Sequence, residues 1–234
     1  MQRTLNLILA LFITTLLMGV NAHAQKSIRI GFDAGINFAN LTNSIFGDDY
    51  KATRNGLVIG GLAEIGIADG WYIQLEPKYI QKGAQVGGYI FGTLGPESSG
   101  LIVSVLKMDY LELPVLIKAR LATGSFKPFL FAGPNIGCLI SAKRVFEGDV
   151  DIQGMSSFDV RSNFESFEIS LDFGAGGEFQ VLPAISLLAD IRYSYGLNNV
   201  NTETLASYPG IGAFGILPIH NYGFQFLTGM LFTL

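Results

Sequence analysis

Residues 185–196 read ISLLADIRYSYG, and their side chains separate into two sets. Ile185, Leu187, Ala189, Ile191, Tyr193 and Tyr195 share one side at period two, while Ser186, Asp190, Arg192 and Ser194 share the other, with Leu188 the exception. A helical turn would mix the sets, whereas an extended strand keeps them on opposite faces, one apolar and one charged. The segment is also long: strands of soluble domains average about 5 to 6 residues, and a tilted strand crossing a bilayer needs about 9 to 11.

Reading outward at the same period gives eight candidate strands, at 28–39, 56–67, 71–82, 103–121, 127–140, 165–179, 185–196 and 221–233. The sixth sets Phe167, Ile169, Leu171, Phe173, Ala175 and Phe179 against Glu168, Ser170, Asp172 and Glu178. The third sets Trp71, Ile73, Leu75 and Tyr79 against Gln74, Glu76, Lys78 and Lys82. In the fourth, Leu111, Leu113, Val115 and Ile117 oppose Glu112, Lys118 and Arg120, a phase that passes Pro114 unshifted and so requires no bulge there. The first opposes Ile28, Ile30, Phe32 and Ile36 to Arg29, Asp33 and Asn37. The second and fifth alternate less cleanly, the fifth placing Phe129 and Phe131 on the charged side. Pro77, Pro114 and Pro134 each remove a ladder donor, which predicts a local distortion at each.

The connections alternate in length. Ala68-Asp69-Gly70, 122–126 and 180–184 are short turns, whereas 40–55, 83–102, 141–164 and 197–220 are long. Short periplasmic turns, long extracellular loops and an even strand count are the pattern of outer-membrane barrels, which puts both chain ends in the periplasm. The expected fold class is all-β: a closed, eight-stranded, antiparallel transmembrane β-barrel.

Composition agrees. Of 234 residues, 49% are apolar and 15% charged, against roughly 25% charged in an ordinary soluble domain. A formal net charge of −4 without any Lys/Arg run gives no electrostatic footprint for nucleic acid, which is excluded as a partner. At the start, Arg3, the apolar stretch Leu5–Leu17 and Ala22-His23-Ala24 have the layout of a secretory signal peptide cleaved after Ala24. Residues 1–24 are thus expected to be the signal peptide and 25–234 the barrel domain. An uncleaved anchor helix would need about 20 apolar residues, and Gly19, Asn21 and His23 interrupt the run. No later stretch reaches that length, so insertion must be by strands, and the single Cys138 offers no intramolecular disulfide.

Alternation alone does not say which face meets water, since a soluble barrel would bury the apolar face. Strand length, the alternation of connections, and aromatic residues near the strand ends (Trp71, Phe179 and Phe232 at one end; Phe38, Tyr79, Tyr193, Tyr195 and Phe224 at the other) favour lipid outside. The lumen then holds Arg29, Lys78, Lys82, Lys118, Arg120 and Arg192 with Asp33, Glu64, Glu76, Glu112, Glu168, Asp172, Glu178 and Asp190. Near-balance predicts an ion-pair network, and eight strands enclose a space that side chains fill.

Three segments are similar to a known family: Tyr110-Leu111-Glu112-Leu113-Pro114-Val115-Leu116-Ile117-Lys118, then Lys127-Pro128-Phe129-Leu130-Phe131-Ala132-Gly133-Pro134, then Asp172-Phe173-Gly174-Ala175-Gly176-Gly177. They resemble the PorT-like outer-membrane β-barrel family, often labelled porin family. The resemblance implies an eight-stranded outer-membrane barrel, some of whose relatives are linked to protein secretion. The last strand resembles the signal read by the barrel-assembly machinery, with Gly229, Phe232 and Leu234 in place and Leu227 where a polar residue is usual.

Catalytic chemistry finds little material. After cleavage the chain has one histidine, His220, and one cysteine, so a His cluster, a CxxC pair and HExxH are excluded, and no cofactor, metal or catalytic residue is expected. A hydrolase would need His220 to meet a serine and an acid such as Asp190 or Glu203. The Gly87-Gly88-Tyr89-Ile90-Phe91-Gly92 run is expected to be loop, and Glu147, Asp149 and Asp151 a solvated acidic loop. Two functions remain: a structural or interaction protein working through its outer loops, with outer-membrane lipid, the assembly machinery and an extracellular or secretion-system protein as partners, or a narrow porin with a charged lumen.

Overall fold

The computed structural model describes residues 28–42, 51–90, 100–121, 124–148, 157–202 and 218–234. The expected signal peptide and the tips of all four long loops lie outside them. The elements are β1 (Ile28–Leu41), β2 (Lys51–Ala68), β3 (Trp71–Leu75), β4 (Lys78–Ile90), β5 (Gly100–Arg120), β6 (Phe126–Gly148), β7 (Ser157–Asp159), β8 (Phe167–Leu182), β9 (Ile185–Gly196) and β10 (Asn221–Thr233). Every pairing is antiparallel. β3 and β4 occupy one place in the ring, so eight strands close it, with β1 joined to β10 from Arg29↔Thr233 to Leu41↔Asn221. β7 is a short addition on the outer part of β6.

The faces follow the alternation. Phe32, Ile36, Leu111, Ile136, Phe173, Ile191 and Phe226 project outward and are exposed, forming the lipid surface, while the polar positions between them are buried inside. Phe38 and Phe226 pack edge to face at 5.7 Å, and Tyr193 lies 4.9 Å from Phe224 on the same surface. Gly70 adopts φ +76° in the β2–β3 turn, where any side chain would be strained.

Several boundaries differ from the expectation. The third strand breaks at Glu76-Pro77, because Pro77 has no N–H for the ladder; its carbonyl still accepts from Gly61 N at 2.9 Å. Register is kept across the break, Ala63↔Leu75 and Gly60↔Lys78, so the inward phase of Gln74, Glu76 and Lys78 survives. At Pro114 and Pro134 the strands continue, with pairing interrupted only between Pro114↔Asn135 and Ile117↔Ala132. The register shift between β5 and β6 falls at Asp109/Tyr110 instead, where Ile140 is the extra residue of β6. The expected loop 83–102 is mostly strand: β4 runs to Ile90 and β5 starts at Gly100, so Gly87–Ile90 belong to a ladder rather than a loop. The β6 strand likewise extends through 141–148, and β2 begins at Lys51.

Candidate functional site

The lumen is built by the inward residues of all eight strands, and its charges fall into three tiers. At the short-turn end, Glu64 on β2 accepts from Arg29 and, at 2.6 Å, from Lys118 Nζ, while Glu178 on β8 accepts from Arg29 Nη1 at 2.6 Å. Arg120 Nη2 lies 3.2 Å from Glu64 Oε2 and 2.8 Å from Glu178 Oε2. In the middle, the Arg192 guanidinium is wholly buried: Nη1 and Nη2 reach the Glu76 oxygens at 2.5 and 3.1 Å, and Nε reaches Asp190 Oδ1 at 3.2 Å. Gln74 donates to the same Glu76 carboxylate. Nearer the long loops, Lys82 Nζ bridges Glu112 at 2.6 Å and Glu168 at 3.2 Å, and Lys78 Nζ stands 3.8 Å from Glu112 and 3.7 Å from Asp172. Ser194 Oγ donates to Asp172 at 2.6 Å and Asn135 Nδ2 to Glu112 at 2.8 Å.

Thirteen of the fourteen predicted lumen residues are therefore tied into ion pairs. Asp33 is the exception: it is 1% exposed, and neither carboxylate oxygen has a hydrogen-bond partner among the described residues. Aromatic rings join the packing, among them Phe129 beneath Lys118 Nζ at 3.8 Å and Phe131 beneath the Arg192 guanidinium at 4.9 Å. Their placement on the charged face, an irregularity in the sequence, is what lets the cations stack instead of standing open.

Sequence reasoning missed a buried apolar cluster that begins between the lattice lysines and reaches toward the long connections. Val58, Ile80, Met108, Tyr110, Leu139 and Leu227 form a buried cluster, and Phe164 and Val200, from the third and fourth long connections, pack into it. These connections are pinned over the mouth: Glu165 N donates to Val200 O at 2.8 Å, Thr202 N to Asn163 O at 3.0 Å, and Arg161 Nε to Leu139 O at 3.2 Å. Arg54 was missed as well, because the second strand begins earlier than expected. It is buried and donates to the carbonyls of Lys82 and Met108 where the β2–β4 register shifts between Thr53 and Val58. The signal was available in parity, since Arg54 lies an even number of residues from Glu64.

The remaining candidates are easily placed. His220 Nδ1 lies 3.0 Å from Gly196 O and its ring stacks on Tyr195 at 6.0 Å, while Asp190 is held by Arg192, so these two do not form a catalytic pair. Glu203, Asp149 and Asp151 lie outside the described residues; Glu147 is exposed and 3.5 Å from Lys107. Cys138 is exposed on the lipid surface. Gly229 pairs with Asp33, Phe232 lies 6.5 Å from Phe32, and Leu234 ends the chain exposed beside Ile28.

Comparison with known proteins agrees with this architecture. A search of curated proteins finds no match. Among solved structures, a major outer membrane protein from Thermus thermophilus is 13% identical, aligned over 90% of this chain and 100% of that one with a TM-score of 0.50. OprG from Pseudomonas aeruginosa is 14% identical over 89% of this chain and 95% of its own, TM-score 0.47, and Neisserial surface protein A is 17% identical over 88% and 97%, TM-score 0.43. A family model described as outer membrane protein beta-barrel domain matches residues 23–201. The chain belongs to that outer-membrane β-barrel family.

Proposed function

We propose that this outer-membrane barrel is a structural and interaction protein that acts through its outer loops, with the lumen closed. The observation that carries the reading is the double seal: a buried ion-pair lattice through the lumen, and an apolar cluster interleaved with its outer charges and joined by Phe164 and Val200 from the long connections. A conducting path needs continuous wet space, and interlocked charges with apolar side chains packed among them oppose it. The partner is an extracellular or secretion-system protein; the resemblance to the PorT-like family supports a role as a secretion accessory. The loops rest on a rigid scaffold, the usual arrangement for recognition surfaces. The protein acts without a catalytic step, and His220 contributes to the rim by stacking on Tyr195.

The deciding experiment is single-channel recording of the refolded mature protein in a planar bilayer, with heat-modifiable gel mobility verifying the barrel. A folded and silent protein is the expected result. Stable steps that change on Arg120 or Arg192 substitution would make it a narrow porin instead. Crosslinking from the long loops in intact cells then identifies the partner, and replacing those loops by short turns should abolish capture while preserving the folded band.

A further inference from the structure

At the short-turn end the lumen opens into a vestibule of about 710 Å³, lined by Asp69, Tyr72, Arg120, Ser125, Lys127 and Gln180. A mouth of this size accommodates a small ligand. The charge beneath it is unequal. Arg29, Lys118 and Arg120 converge on Glu64 and Glu178, and with Lys127 and Asp69 lining the opening the end holds four cations against three carboxylates. Further up the lumen the inequality reverses, with Lys78, Lys82 and Arg192 among Asp33, Glu76, Glu112, Glu168, Asp172 and Asp190. The lumen charges thus hide a separation: surplus cation at the vestibule, surplus carboxylate above.

Two of those cations, Arg120 and Lys127, line the opening itself. The Tyr72 ring lies 4.0 Å from the Arg120 guanidinium carbon and 5.3 Å from that of Arg29. Nε of Arg29 and of Arg120 is buried without a hydrogen-bond partner among the described residues, and the Arg120 side chain is only 9% exposed although it lines the vestibule. Lys127 Nζ stands 3.2 Å from the neutral Gln180 Oε1 and forms no ion pair with a carboxylate among the described residues. A confined cation surplus with low-dielectric walls attracts an anion, and a guanidinium beside an ammonium suits an oxyanion with several acceptor oxygens.

We infer that the vestibule binds a phosphate group, held between Arg120 and Lys127 beside the Tyr72 ring. The inference rests on the short turns facing the periplasm and is independent of what the outer loops bind. Two sources share the chemistry: a soluble phosphate ester, and the headgroup of an inner-leaflet phospholipid reaching over Leu121, which lies on the rim and is 61% exposed on the lipid side.

The test uses the refolded mature chain in micelles of a phosphate-free sulfobetaine detergent, titrated first with glycerol phosphate and then with phosphatidylglycerol. Calorimetry and the phosphorus line width report binding. Saturable binding weakened at least tenfold by Lys127→Gln and by Arg120→Gln, and unchanged by Lys107→Gln at the opposite end, supports the site. Lys127 makes one hydrogen bond to a neutral partner, so its variant keeps the test decisive if Arg120→Gln fails to give the folded gel band. Binding of glycerol phosphate identifies a soluble ester; binding confined to phosphatidylglycerol identifies a lipid headgroup. Absence of saturable binding to both probes, or binding that Lys127→Gln leaves within twofold, overturns the inference, whatever the conductance and crosslinking experiments return.

Discussion

Replacing Arg192 with methionine tests whether the lumen is dry. The guanidinium is fully buried and makes four contacts: 2.5 and 3.1 Å to Glu76, and 3.2 Å twice to Asp190. At about 3 Å and an effective dielectric constant of about 20, each carboxylate loses roughly 5 kcal/mol of attraction when the cation goes. Relaxation returns part of this, and breaking a buried pair from one side costs about 3–5 kcal/mol in practice. Methionine fills similar space against Phe131, so the loss reports stranded charge more than a cavity. Glu76→Gln should rescue the methionine variant only in part, because Asp190 stays unpaired. The triple variant with Asp190→Asn should return to within about 2 kcal/mol of the parent, since a buried ionic group exchanged for neutral residues is close to neutral overall. Urea titration in lipid vesicles, followed by Trp71 emission and by gel mobility, gives these differences. A loss under about 1 kcal/mol for Arg192→Met refutes the reasoning: water would then be solvating Glu76 and Asp190, and the closed lumen would fall with it.

Asp33→Asn should raise stability by about 1–3 kcal/mol in the same titration, because it removes a buried charge whose two oxygens lack hydrogen-bond partners among the described residues. Phe164→Ala should loosen the cap, seen as faster amide exchange at Glu165 and Thr202, without opening a conductance, because the ion-pair lattice below is untouched. Gly229→Val should block assembly, measured as loss of the heat-modifiable band: its Cβ would sit 2.9 Å from Asp33 Cβ across the β1–β10 seam, nearer than side-chain atoms normally approach.

How much of this is legible in the sequence depends on where each residue sits along the barrel. Around the bilayer, one face must be apolar and the other polar, so strict alternation betrays the strand, and Glu168, Asp172, Arg192 and their like can be assigned inward from parity alone. Beyond the bilayer the outer face meets water and the inner face is apolar, so the pattern inverts. Met108, between Lys107 and Asp109, then reads as an irregularity and Gly87–Ile90 as a loop, while Val58 and Ile80 break the rule inside the bilayer itself, since Leu57 and Ile59 beside Val58 face lipid. The partners within the lumen are not legible, because Lys82 with Glu168 and Arg192 with Glu76 meet across the barrel through closure and shear, which sequence periodicity does not encode. Proline is informative in kind but not in degree: Pro77 ends a strand, while Pro114 and Pro134 only interrupt pairing.

The unequal strand lengths shape what the cell surface meets. β9 has 12 residues, a climb of roughly 30 Å at the usual pitch and tilt, about the thickness of the hydrocarbon layer. β6 has 23 residues and climbs nearly twice as far, roughly 58 Å, with β5 beside it at 21 residues. The rim is therefore a ramp, low along β9 and β10 and rising roughly 25 Å higher along β5 and β6. A partner that docks on the walls of β5 and β6 is lifted clear of the crowded headgroup layer, whereas the strands β9 and β10 themselves end close to it, so a single ring of strands offers two recognition heights.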